Sequence, residues 1–238
     1  MPVAPRKMRL SAEHVRRVFR QIADPGPQVR PGYRIATDAD YAAEVDRMLA
    51  TRPEGDFWVF AYGSLIWRPE TEVAETRVAL ARGWHRRFCL GWDERFRGSK
   101  GAAGLMLALD RGGQCSGVIQ RLMEPTLRTE LDKLIRRESS TVPSPFPWRW
   151  IPVETEGGPL TALTFAMNRK SGAYVAGLED GALAKVLAQA VGFRGSMAEY
   201  LFSTVQNLEE LGIHDERLWR LQELVALEIE GRYGPIGG

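Results

Sequence analysis

The chain has 238 residues, 44% of them hydrophobic and 26% charged, the make-up of an ordinary soluble globular protein with enough length for a real core. Lys+Arg 32 against Asp+Glu 30 leaves a formal net charge of +2, so no whole-chain field favours nucleic acid, and no apolar stretch approaches the roughly 20 residues of a membrane span. Two cysteines, Cys89 and Cys115, cannot make a disulfide framework; with a basic N-terminus that has no apolar leader segment, they point to a cytoplasmic protein.

The first predicted element is a helix capped by Ser11, with Val15, Val18, Phe19 and Ile22 on one face and Asp24-Pro25-Gly26-Pro27 as its stop. A second helix starts at Thr37, with Asp40 in the acidic position of a capping box; Tyr41, Val45, Met48 and Leu49 form its stripe. Both are expected to pack outside the domain that follows, which divides the chain into a helical extension, 1–55, and a domain, 56–238.

Phe57–Trp67 (FWVFAYGSLIW) changes the character of the chain. Its first half has the aromatic and β-branched composition of a buried strand. Its second half places Gly63 and Ser64 where the strand ends, so the backbone can turn tightly and direct freed amides at a ligand. An ordinary strand-to-turn junction reads equally well from these residues alone.

Strands are then predicted over Val73–Ala81 and Trp84–Trp92, followed by a loop near the surface from Asp93 to Gly104. Leu105–Leu109 and Ser116–Leu122 flank Arg111-Gly112-Gly113-Gln114 as a hairpin, and Trp148–Val153 and Leu160–Met167 flank a second one at Gly157-Gly158-Pro159. Between the hairpins a helix opens near Pro125, and helical stripes fill the chain from Leu183 onward. Strands in the middle and helices at both ends predict an α+β fold, a small mostly antiparallel barrel or sheet with flanking helices.

In the helix after Pro125, Leu127, Leu131, Leu134 and Ile135 mark the apolar face, and Glu138 continues it. A carboxylate there meets desolvation and the negative end of the helix, both of which raise its pKa towards the range of a general acid–base. The competing reading is a frayed helix end, with Glu138 paired to a nearby arginine in solvent.

Together, Tyr62-Gly63-Ser64-Leu65-Ile66-Trp67, Gly83-Trp84-His85-Arg86-Arg87-Phe88, the Arg137-Glu138 dipeptide and Ala198-Glu199-Tyr200-Leu201-Phe202 resemble the ChaC-like gamma-glutamylcyclotransferases, in the family's order. The resemblance runs from about Trp58 to the C-terminal helices. It implies cleavage of glutathione into 5-oxoproline and cysteinylglycine. It also implies that Ala61, Tyr62, Gly63, Ser64, Leu65 and Ile66 hold the gamma-glutamyl group, that Glu138 is the catalytic acid–base, and that neither metal nor nucleotide cofactor is needed. The turn amides would bind the α-carboxylate or stabilise the oxyanion. The sequence departs from the family after Glu138, where Ser139-Ser140-Thr141-Val142-Pro143 replaces a glycine pair and a tyrosine. Alternatives are the same chemistry on another gamma-glutamyl amine or dipeptide, or a non-catalytic binding or regulatory module. The partner expected is a small molecule, not nucleic acid or membrane.

Other candidates are weaker. His85 and Cys89 share a strand face without the rest of a catalytic pair, Ser64 has no nucleophile elbow, and His14, His85 and His214 are too dispersed for a metal. The arginines between Arg82 and Arg97 form either a solvated surface or a local patch for an anionic substrate.

Overall fold

A computed structural model describes residues 6–236; residues 1–5, which open the basic stretch considered as a leader, and the last two lie outside the described residues. Helix α1 (Ala12–Val18) is followed by a short strand β1 (Arg34–Ile35) and helix α2 (Asp38–Ala50). Strand β2 (Trp58–Ala61) runs into one helical turn, α3 (Ser64–Trp67). Two long strands, β3 (Val73–Asp93) and β4 (Gly104–Leu122), lead to helix α4 (Leu127–Glu138). Then come β5 (Thr141–Val142), β6 (Trp148–Thr155) and β7 (Gly158–Phe165). The chain closes with α5 (Asp180–Leu187), the short strands β8 (Val191–Gly192) and β9 (Gly195–Ser196), and helices α6 (Met197–Glu210) and α7 (Glu216–Tyr233).

The described residues form two compact units, one made of residues 27–87 and 107–174 and the other of residues 6–26, 88–106 and 175–236. In the first, five strands close into a barrel in the order β2-β4-β3-β6-β7, as the α+β reading expected. β2 is buried along its whole length, antiparallel to β4 (Ala61 opposite Val118) and parallel to β7 (Val59 opposite Leu163). β6 and β7 form the predicted second hairpin. On β6 the side chains alternate in the strand's period of two: Ile151 and Val153 are buried, while Trp148 and Trp150 turn to α2, where their indoles donate to Glu44 Oε2 at 2.6 Å and Thr51 Oγ1 at 3.1 Å. α2 begins as expected, with the Asp40 amide donating to Thr37 Oγ1 and the Thr37 amide to Asp40 Oδ2.

Two expectations fail in this unit. Val73–Ala81 and Trp84–Trp92 belong to one strand, β3, and the hairpin expected at Arg111–Gln114 is the interior of β4. Gly83, Gly112 and Gly113 do take positive φ, but left-handed residues within a ladder kink and twist a strand without ending it.

In the second unit α1 packs on α6 and α7, burying Leu10 and Val18, and the Leu10 amide donates to Gln222 Oε1 at 2.8 Å. α1 stops at Val18, short of the predicted Ile22, and Phe19 is 66% exposed. The Asp93–Gly104 segment is the expected loop near the surface, with Lys100 and Gly101 exposed, but its first half is anchored inward. Asp93 accepts from the amides of Arg95, Phe96 and Arg97, and Arg97 is buried against Glu199 at 2.6 Å. Here Gly98 is required, since a Cβ would sit 2.1 Å from the Asp93 carbonyl oxygen.

Candidate active site

The barrel fixes the turn after β2 from several sides. Tyr62 donates its hydroxyl to the Phe165 carbonyl at 3.0 Å, and Gln120, buried on β4, donates to the Leu65 carbonyl at 2.9 Å. Beside the last residue of β2, a Cβ on Gly117 would stand 2.4 Å from the Ala61 carbonyl oxygen, so glycine is needed for this approach. Gly63 caps α3, and the Ile66 and Arg68 amides bond back to the Gly63 and Ser64 carbonyls. The amides at the start of such a turn have no intrahelical acceptor.

α4 stays helical through Glu138, and its buried face carries Leu127, Leu131, Leu134 and Ile135, so Glu138 does continue the apolar stripe. Its side chain is 17% exposed, and the Arg137 Nε lies 3.0 Å from Oε1. The competing reading was thus half right: the pairing exists, but at a buried helix end and not in solvent. Burial raises the Glu138 pKa; Arg137 opposes that by charge and hydrogen bond, and the Glu70 carboxylate adds to the rise.

Arg137 joins the two predicted features. Its Nη2 donates to Ser64 Oγ at 3.0 Å, its Nη1 donates to the Arg68 carbonyl, and Glu70 Oε1 lies 3.8 Å from Nη1. One planar guanidinium therefore holds the turn and the glutamate together, a job its fixed fork of donors suits. The apolar periodicity singles out Glu138 and gives no sign of this reach of Arg137, although the Arg137-Glu138 dipeptide is visible in the sequence. Glu70, the only non-glycine residue with positive φ among the described residues, and Gln120 were also missed.

The exit from α4 is held as well. Ser140 accepts from the Ala36 amide at 3.0 Å, and β5 pairs antiparallel with β1 (Arg34 opposite Val142). Arg136 bonds Asp38 at 2.7 Å and lies 4.5 Å over the Tyr41 ring. Residues 140–142 are thus spent on a strand contact with the segment before α2.

Among the described residues, no three metal-ligating side chains gather. His14 lies 3.1 Å from Glu230, His214 beside Glu209, and His85 Nδ1 is 2.9 Å from the Gly112 carbonyl oxygen. Arg82, Arg95 and Arg97 each pair with a carboxylate. Cys89 and Cys115 are buried and form no disulfide. No helix among the described residues is long and apolar enough to cross a membrane.

A family model described as ChaC-like protein matches residues 57–228. The chain belongs to the ChaC-like family. It is 39% identical over 178 residues to a glutathione-specific gamma-glutamylcyclotransferase of Escherichia coli (strain K12), covering 74% of this chain and 76% of that protein. It is 29% identical to the human glutathione-specific gamma-glutamylcyclotransferase 1, over 73% of this chain and 82% of the relative. In fold it resembles the crystal structure of a glutathione-specific gamma-glutamyl cyclotransferase from yeast, with a TM-score of 0.68 at 20% identity, covering 75% of this chain and all of the other.

Proposed function

We propose that the protein is a gamma-glutamylcyclotransferase that cleaves glutathione to 5-oxoproline and cysteinylglycine, with Glu138 as the acid–base and the Ala61–Ile66 turn as the substrate cradle. The observation that carries the assignment of residues is the Arg137 bridge, which ties a carboxylate of raised pKa to the turn.

The chemistry moves protons from the attacking nitrogen to the leaving one. The α-ammonium of the gamma-glutamyl group loses a proton to Glu138, and the freed amine attacks the γ-carbonyl of its own side chain. A five-membered lactam forms through a tetrahedral oxyanion, which amides of the turn stabilise. The C–N bond to cysteine breaks as Glu138 returns this proton to the leaving nitrogen; the second proton, still on the lactam nitrogen after attack, passes through Glu138 to the departing amine, which leaves as an ammonium. Because the attack is intramolecular, much of the rate comes from holding the flexible arm in a reactive pose. Nothing in these steps calls for a metal or a nucleotide. We place the enzyme in the cytoplasm, where a reduced thiol substrate and two unlinked cysteines are compatible.

The test is release of 5-oxoproline from glutathione by the purified protein, run beside a panel of gamma-glutamyl amines and dipeptides. Turnover of glutathione supports the assignment. Turnover confined to other members of the panel moves the substrate and keeps the chemistry, and an inert protein favours a binding module.

A further inference from the structure

A second group of charges sits at the same end of the barrel as the substrate turn. β7 runs parallel to β2 and antiparallel to β6, so the first residues of β6 lie where β2 finishes. There Arg149 is paired with Thr164, whose hydroxyl donates to the Phe60 carbonyl at 3.0 Å. By the strand's alternation Arg149 shares the buried face of Ile151 and Val153. Its guanidinium carbon stands 5.3 Å from the centroid of the Trp84 ring, and that of Arg111 stands 5.6 Å from the same ring.

This is an unbalanced arrangement. Arg149 Nε is cut off from solvent and has no hydrogen-bond partner. Among the described residues neither arginine has a carboxylate within ion-pair distance, and the nearest one along the chain, Asp110, is taken by Arg169 at 2.6 Å and Tyr174 at 3.1 Å. Burial and the like charge of Arg111 both weaken the hold of Arg149 on its proton. Two cations over one indole, one with an orphaned buried donor, are stable when an anion completes them. The groups that set the protonation of Glu138 are Arg137 and Glu70, not these arginines, so the cluster stands apart from the reacting carboxylate.

We propose that Arg149 and Arg111, stacked on Trp84, form an anion subsite that takes the carboxylate of the substrate remote from the gamma-glutamyl centre. In glutathione that group is the C-terminal carboxylate. This rests on the cyclotransferase reading for the identity of the ligand, but not for the existence of the subsite. A guanidinium offers a carboxylate two parallel donors, and the indole face keeps both arginines extended towards it.

The experiment compares glutathione with the same tripeptide amidated at its C-terminus, on the wild type, Arg149→Gln, Arg149→Lys and Arg111→Gln. The wild type should prefer the acid by roughly 10- to 100-fold in kcat/KM, mainly through KM. Arg149→Gln should bring the ratio close to one, with Arg149→Lys and Arg111→Gln between. Equal use of both peptides by the wild type, or an unchanged ratio in Arg149→Gln and Arg111→Gln, overturns the subsite. If neither peptide is turned over, calorimetric titration of both decides. Tighter binding of the acid that is lost in Arg149→Gln upholds the subsite while the cyclotransferase reading fails, and equal binding removes both.

Discussion

In the reaction proposed above Glu138 takes protons from the attacking amine and passes them to the leaving one, which a carboxylate at its ordinary pKa does poorly. Burial and Glu70 supply the upward shift, and Arg137 keeps it from running further. Glu138→Gln should lower kcat by about 10²- to 10⁴-fold with little change in KM, measured by 5-oxoproline release. Activity should rise with pH along an acid limb lying above the usual glutamate range, because the ionised form starts the reaction. Removing Arg137 takes away the lowering influence, so Arg137→Gln should move that limb to higher pH and also weaken the turn; a limb that stays put would contradict the bridge. The same shift has a stability consequence. A carboxyl whose folded pKa is raised favours the fold below its unfolded value and loses that contribution as pH rises through the folded pKa. Thermal melts of Glu138→Gln should therefore match the wild type near pH 4 and lie at or above it near pH 8. Glu138 was legible in the sequence because a charge on an apolar stripe breaks a pattern. Arg137 was not, because its reach to Ser64 depends on a contact 73 residues away in the chain.

At the scale of elements, the site is a turn pinned to a barrel and a helix end pinned to a strand. Gly117 lets β4 pass close to the end of β2, so Gly117→Ala must push on the Ala61 carbonyl. We expect a loss of about 1–3 kcal/mol in chemical denaturation and, with this turn as the proposed cradle, a raised KM. At the other pin, Ala36→Pro removes the donor that Ser140 accepts and should cost about 1 kcal/mol, with faster hydrogen exchange at residues 139–142 and a lower kcat. Unaltered exchange there would mean that β1 does not steady the exit of α4. The elements themselves were read well where pattern and chemistry agree, as in the Thr37 capping box and the hairpin at Gly157-Gly158. Gly112-Gly113 misled because a glycine pair with positive φ serves a kinked strand as well as a turn, and only the pairing of β3 beside β4 tells the two apart.

At the scale of the molecule, the family match begins at residue 57, yet the residues before it are built into both units. Leu10 and Val18 are buried in one, Val45 and Met48 in the other. We keep 1–55 as an extension in the sense of sequence and propose that it is not one in the sense of stability. A chain starting at residue 56 should express poorly or melt well below the full-length protein, because two amphipathic helices' worth of apolar surface would be left uncovered. A melting temperature equal to that of the full chain would show the extension to be dispensable.

The sequence by itself determined the class of fold, the aromatic strand and its turn, the misplaced glutamate and the family they resemble. Each of these is local: a period, a cap, or a short run of residues with one steric use. Only the tertiary structure decided that β3 and β4 are single strands, that Arg137 couples the turn to Glu138, and that Arg149 and Arg111 meet on one indole without a counter-charge among the described residues. Those facts depend on side chains far apart in the chain being brought into a shared, partly buried space. There a single unpaired charge or missing methyl group matters, and no local pattern records it.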